Sequence, residues 1–185
     1  MIRPLGLHLS DSLIKQYIPR IYGGLVEGVQ DRGRLIELGF WDTANGEDED
    51  RLRPLSYVNS GIIVICFAVD DPVSLQNVTA RWHPEIAHWS PGVPILLLGC
   101  KADLRRVEGG EGDAALNGDK GKMVTMEQAR TVADAIGAVQ YLECSALLDE
   151  KVQGSVKDFL EMSAQIATSW KPKKRASNRN TCQII

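Results

Sequence analysis

Two stretches, Gly61 to Val69 and Pro94 to Gly99, are nearly uninterrupted apolar runs of strand length. A strand that is apolar on both sides of its pleat needs cover on both faces, which points to a sheet sandwiched between helices. Val139 to Cys144 is a shorter run of the same kind. Between these runs lie three segments with helical spacing: Pro72 to His88, Met126 to Ile136 and Glu150 to Trp170. The last has Val152, Val156, Phe159 and Leu160 on one face. Strand and helix in alternation predict a doubly wound α/β sheet. Ahead of them, Leu25 to Gln30 and Arg34 to Trp41 flank the turn sequence Asp31-Arg32-Gly33 and predict an antiparallel hairpin. Residues 106 to 123, rich in Gly, Asp, Glu and Lys, read as a solvated surface insertion.

The chain has 185 residues, enough for one domain over 1–170, and the remaining 171–185 read as a disordered tail. Lys171, Lys173, Lys174, Arg175 and Arg179 give that tail five positive charges and no acid. The formal charge of −3 for the whole chain therefore leaves −8 on the body. A basic extension on an acidic body suits an anionic membrane surface and argues against nucleic acid. The chain ends Cys182-Gln183-Ile184-Ile185, the C-a-a-X pattern for prenylation, and a single lipid chain holds firmly only with a second signal such as a polybasic run. Bulky Ile185 favours a geranylgeranyl group. Cys66, Cys100 and Cys144 lie in or beside apolar runs, where single cysteines act as small buried hydrophobes in a reducing compartment. Neither a long apolar span nor a secretory leader is evident. The expected location is the cytoplasmic face of the plasma membrane or an endomembrane.

Five motifs occur in order. They are Phe40-Trp41-Asp42-Thr43-Ala44, Asp50-Arg51-Leu52-Arg53-Pro54-Leu55-Ser56-Tyr57, Arg81-Trp82-His83-Pro84-Glu85, Gly99-Cys100-Lys101-Ala102-Asp103-Leu104 and Glu143-Cys144-Ser145-Ala146. This series resembles a Rho-type small GTPase over roughly residues 13 to 170, and the insertion after Leu104 falls where that branch carries its extra segment. The resemblance implies a P-loop NTPase-like sheet, GTP or GDP with Mg²⁺ as cofactors, Rho-type effectors or regulators as partners, and a monomer.

The family's chemistry needs particular groups, and several are altered. No G-x-x-x-x-G-K-[ST] P-loop occurs; residues 1–16 hold Gly6 as their one glycine, and Pro4 argues against Ile2 to Leu9 as a central strand. The resemblance therefore implies a fold lacking its first strand and P-loop. Pro19-Arg20-Ile21-Tyr22 matches switch I, with Arg20 where a threonine would ligate Mg²⁺; a guanidinium cannot ligate a cation. In switch II, Asp42 can reach Mg²⁺ through water, Ala44 precedes Asn45 at the glycine that bonds the γ-phosphate, and Gly46 stands at the water-orienting glutamine. Cys100-Lys101-Ala102-Asp103 occupies the guanine-reading Asn-Lys-x-Asp. Asp103 is retained, and Cys100 is a poorer hydrogen-bonding group than an amide. Ser145 and Ala146 keep the last motif, while Leu147 replaces its lysine. Ile21, Tyr22, Arg51 and Leu52 mark the expected partner-docking segments.

Two readings of these residues stay open. One is a GTP-binding switch in membrane-linked signalling whose P-loop is encoded upstream of Met1, with hydrolysis weak. The other is a degenerate relative, a pseudo-GTPase working through contacts at a membrane, because Arg20, Asn45, Gly46, Cys100 and Leu147 all lie downstream of any misplaced start. A non-functional truncated product would follow from a sheet missing its middle strand.

Overall fold

The structure is a computed structural model that describes residues 23–43, 50–106, 123–145, 149–170 and 181–184. Pro19, Arg20, Ile21, Tyr22, Ala44, Asn45, Gly46, Ala146, Leu147, the segment 107–122 and the basic residues Lys171, Lys173, Lys174 and Arg175 lie outside the described residues. The chain divides into two compact units. One comprises Met1–Ile63, Trp89–Pro94 and Leu160–Ile185, the other Val64–His88 and Ile95–Phe159.

In the first unit, β1 (Gly23–Asp31) and β2 (Arg34–Asp42) pair antiparallel from Gly23 opposite Asp42 to Asp31 opposite Arg34. The loop is therefore only Arg32-Gly33, tighter than the three-residue turn expected. Both residues have positive φ, 49° and 77°, the type I′ geometry whose twist matches that of the flanking strands. Gly33 adopts it without the Cβ clash that Arg32 bears.

A short helix, α1 (Arg53–Ser56), starts with Pro54 in its first turn, where the missing N–H costs nothing. Arg53 is buried and bonds Asp50. The first half of β3 (Ser60–Ala68) follows. The Ile63 N–H donates to Pro94 O at 2.9 Å, the Ser90 hydroxyl to Tyr57 O at 3.1 Å, and the Trp170 indole N–H to Gly92 O at 3.1 Å.

The free edge of β2 pairs in parallel with a strand from the opposite end of the chain. Glu37, Leu38, Gly39 and Phe40 stand opposite Thr181, Cys182, Gln183 and Ile184. That strand also pairs in parallel with β3, Gln183 opposite Ser60 and Ile184 opposite Ile62, so the order in this unit is β1, β2, the C-terminal strand, β3. Of the residues 171–185 expected to form a tail, 181–184 are described and take this paired form. The physical reason lies in the partners: Leu38 and Ile62 are both 0% exposed, and buried backbone groups require hydrogen-bond partners.

The second unit holds the rest of β3, then α2 (Pro72–Asn77), a π-helical turn at Val78–Trp82 and α3 (His83–Trp89), which together form the helix expected over 72–88. The Asp71 side chain caps its start, accepting from the Val73 and Ser74 N–H groups at 3.0 and 3.3 Å. Next come β4 (Ile95–Cys100), α4 (Asp103–Arg106), α5 (Met126–Ala135) and β5 (Gln140–Glu143). Thr125 and Gln128 form a capping box at the head of α5. The strand order is β3, β4, β5, with Leu96 to Gly99 parallel to Gln140 to Glu143.

Leu96, Leu97 and Leu98 are buried, as a strand covered on both faces should be. From Val64 onward β3 alternates instead: Ile65, Phe67 and Val69 are buried, whereas Cys66 is exposed. The reading of Cys66 as a buried hydrophobe is corrected accordingly. Finally comes α6 (Asp149–Ser169), in which Phe159, Ser163, Ala164 and Ala167 are buried at helical spacing.

Candidate functional site

The second unit gathers the motif residues at the C-terminal ends of its parallel strands, where open α/β sheets bind ligands. Gly99 and Cys100 close β4. The Val69 N–H donates to Cys100 O at 3.0 Å, the Cys144 N–H to Gly99 O at 2.8 Å, and the Ala102 N–H to Cys144 O at 3.0 Å. These bonds fix the turn that follows from both sides. Lys101 takes a left-handed conformation there, φ 64°, a strained choice for a side-chain-bearing residue that turns the chain from β4 into α4. Gly99 is required by close approach: a Cβ would stand 3.1 Å from Glu143 Cγ and 3.2 Å from both Phe67 Cζ and the Tyr141 hydroxyl.

Asp103 opens α4, and the Ser145 hydroxyl donates to its Oδ1. Ser145 is 4% exposed, so the hydroxyl holds this carboxylate from a fixed position. Lys101 Nζ forks onto Asp70, at 2.9 and 2.8 Å from its two carboxylate oxygens. Beneath the turn, Arg105 Nε lies 3.1 and 2.9 Å from the two oxygens of Glu143, whose Oε1 also accepts from the Tyr141 hydroxyl. Burial, reinforced by the Glu143 carboxylate, pushes the Tyr141 hydroxyl above its ordinary value, so it stays a donor. Tyr141 stacks on Phe67 with ring centroids 6.2 Å apart.

Cys100 lies opposite Cys144 by extension of the strand register. The neighbouring thiols, Cys144 first and then Cys66, hold the Cys100 thiol below its ordinary value despite burial, with Lys101 contributing. The same contacts push Cys144 and Cys66 up. The position expected to carry an amide therefore carries a thiol with thiol neighbours.

The structure brings Cys100, Lys101, Asp103 and Ser145 together in the second unit. Asp42 ends β2 in the first unit and is exposed, its backbone paired with Gly23. Arg51 and Leu52 are exposed ahead of α1, and Cys182 sits in the C-terminal strand. Among the described residues no group of three or more His, Cys, Asp or Glu is placed to hold a metal ion. Asp70, Arg105 and Tyr141 were not singled out by sequence, and Glu143 was quoted as the first residue of the last motif without a role. The signal for Glu143 was its place just before Cys144-Ser145; Asp70 offered none beyond lying at the end of an apolar run.

The sequence model described as the Ras family matches residues 5–167. The chain is 40% identical over 178 residues to the GTP-binding protein Rho1 of Kluyveromyces lactis, covering 91% of this chain and 81% of that protein. It is 42% identical over 169 residues to the GTP-binding protein RHO1 of Candida albicans, with the same coverage of 91% and 81%.

Proposed function

This chain belongs to the Ras family, as a small GTPase of the Rho type, and on that premise we propose that it binds guanine nucleotide chiefly through its base-reading end and hydrolyses GTP weakly or not at all. The observation that carries this reading is the Asp103 carboxylate held by Ser145 at the head of α4. An ionised carboxylate is acceptor-only and suits the paired ring and exocyclic N–H groups of guanine. Cys100 in place of an amide weakens that recognition, because a thiol is a poorer donor and acceptor than an amide.

On the phosphate side, bound Mg²⁺ would neutralise charge on the phosphates, and Asp42 is the described residue suited to reach it through water. Gly46 has no side chain to orient an attacking water, and Arg20 stands where a hydroxyl ligand belongs. The protein works at the cytoplasmic face of a membrane, held by a lipid on Cys182 and by Lys171, Lys173, Lys174 and Arg175 on anionic headgroups. There it engages Rho-type effectors or regulators, for which exposed Arg51 and Leu52 are the available contacts.

Titration of fluorescent GDP into the full chain, with adenine nucleotide as control, tests this. Saturable, guanine-selective binding is expected. Asp103→Ala should weaken it about 10- to 100-fold, the effect of removing a charged hydrogen-bond acceptor, and Cys100→Asn should tighten it. If neither GDP nor GTP binds, a second reading, favoured by Cys100 and Gly46, replaces the first: a pseudo-GTPase acting as a membrane-tethered interaction protein. Retention of Cys182→Ser on anionic vesicles at the wild-type level would overturn the lipid anchor.

A further inference from the structure

Cys100 ends β4, and Cys144 follows the last residue of β5. The Cys144 N–H donates to Gly99 O at 2.8 Å, the bond a parallel ladder makes when Cys144 stands opposite Cys100. Leu98 and Leu142, then Gly99 and Glu143, are opposed in the same register. Opposed residues of neighbouring strands share a face of the sheet, with their Cα atoms roughly 4.8 Å apart. A disulfide spans about 4.4–6.8 Å between Cα atoms, so this pair can close with little backbone movement.

A third cysteine shares the face but lacks the reach. The Val69 N–H donates to Cys100 O at 3.0 Å, which sets Val69 opposite Lys101 and therefore Cys66 opposite Leu98. One strand spacing and two residues of rise at roughly 3.3 Å each put the Cys66 and Cys100 Cα atoms about 8 Å apart. That exceeds the roughly 7 Å beyond which two cysteines cannot be bridged. Cys100 and Cys144 are both half-buried, within reach of a small oxidant. The neighbouring thiols and Lys101 favour the Cys100 thiolate, which is the attacking form.

We propose that Cys100 and Cys144 form a redox-active dithiol that hydrogen peroxide closes to a disulfide, and that closure weakens guanine recognition. The second half rests on the base-reading function proposed above. In the first step the Cys100 thiolate attacks one peroxide oxygen and the O–O bond breaks. Hydroxide leaves, takes up the proton that Cys100 had released and becomes water, and Cys100 is left as a sulfenic acid. The Cys144 sulfur then attacks the Cys100 sulfur, the S–O bond breaks, and a second water leaves with the Cys144 proton. Two sulfurs are oxidised and one peroxide is reduced; an external dithiol reverses the bond by exchange. The link lies inside the candidate site, because Lys101 follows Cys100 and Ser145, the donor to Asp103, follows Cys144. A disulfide sulfur neither donates nor carries charge, so closure withdraws Cys100 from the base. The expected loss of guanine affinity is about 3- to 10-fold, that of one neutral hydrogen bond.

The test treats the reduced full chain with hydrogen peroxide, blocks free thiols with an alkylating agent and maps tryptic peptides without reduction. Cleavage after Arg51, Arg81, Lys101, Arg130, Lys151 and Arg179 leaves each cysteine on its own peptide. A link between the Cys100 and Cys144 peptides is expected, and dithiothreitol should remove it. Cys144→Ser takes away the resolving thiol and should stop the reaction at a Cys100 sulfenic acid, which dimedone captures. Fluorescent GDP should bind the oxidised wild-type chain about 3- to 10-fold more weakly than the reduced chain, with recovery on reduction.

A link from Cys66 to Cys100 instead, or Cys100 and Cys144 left unlinked after treatment, overturns the proposal. If the substituted chain fails to fold, the wild-type map still decides. Equal GDP affinity before and after closure overturns the coupling. If the reduced chain binds no GDP, the base-reading function and the coupling fail together, while the peptide map independently decides the dithiol.

Discussion

The strands that carry Cys100 and Ser145 are joined by connections between neighbours in sequence, whereas β2 and β3 are joined through a strand drawn from the far end of the chain. In the second unit every backbone partner around the candidate site lies between Val69 and Cys144. In the first, Leu38 pairs with Cys182. Closing the longer loop has the greater entropy cost and delays the contact until most of the chain has organised. The partners that frame the base-reading end are thus near in sequence, whereas the partner of the β2 edge comes from the far end of the chain.

Paired core truncations should separate the two regions, and they carry the largest expected effects. Leu38 and Leu97 are each 0% exposed, so Leu38→Ala and Leu97→Ala should each lower stability by about 2–5 kcal/mol in urea unfolding. Their local consequences should differ. Leu38→Ala should raise hydrogen exchange in β1, β2 and 182–184 while leaving β4 and β5 protected, and Leu97→Ala should do the reverse. Identical exchange patterns for the two variants would show that the regions open as one cooperative body and would break the comparison.

A smaller effect probes the base-reading end alone. At Gly99 a methyl group meets the Phe67 ring edge, Glu143 Cγ and the Tyr141 hydroxyl at 3.1–3.2 Å, and two of these belong to the bonded Arg105–Glu143–Tyr141 set. Because those side chains are held, Gly99→Ala should cost about 1–3 kcal/mol as an overpacking defect. It should also weaken GDP binding more than Leu38→Ala does. A neutral outcome in urea unfolding would mean that the floor of the turn is softer than its bonding implies.

How much of this was legible in sequence follows from the same contrast. The apolar runs at 61–69 and 94–99, the helices over 72–88, 126–136 and 150–170, and the 31–34 hairpin were readable because local periodicity and turn chemistry specify them within a few residues. Cys100, Lys101, Asp103 and Ser145 were readable as an ordered motif, and the bond from Ser145 to Asp103 gives that motif a geometry. The C-terminal strand was not readable. Thr181-Cys182-Gln183-Ile184 is short and follows a basic run, and nothing within it announces that two buried strand edges require it. Asp70 and Glu143 escaped for a related reason: their partners Lys101 and Arg105 are distant in sequence, and a lone carboxylate gives no sign of which cation it meets. Cys66 was misjudged because an unbroken apolar run implies cover on both faces, while the observed strand alternates from Val64 onward.

The smallest expected effect belongs to the Lys101–Asp70 ion pair. Its side chains are 54% and 35% exposed, and exposed pairs contribute about 0–1 kcal/mol, less at high salt. Lys101 meanwhile holds a left-handed backbone whose strain is on the order of 1–3 kcal/mol, more than the pair can offset. What holds the turn must therefore be its backbone: the bonds from Val69 to Cys100, from Ala102 to Cys144 and from Leu104 to Lys101 at 3.1 Å. Asp70→Asn should accordingly shift stability by less than about 0.5 kcal/mol. It should also leave GDP affinity within about twofold, the change that so small an energy permits. A tenfold loss of affinity would instead show that the ion pair poises Lys101 for the nucleotide, and the base-reading end would then depend on a solvent-exposed contact rather than on the strand register that frames it.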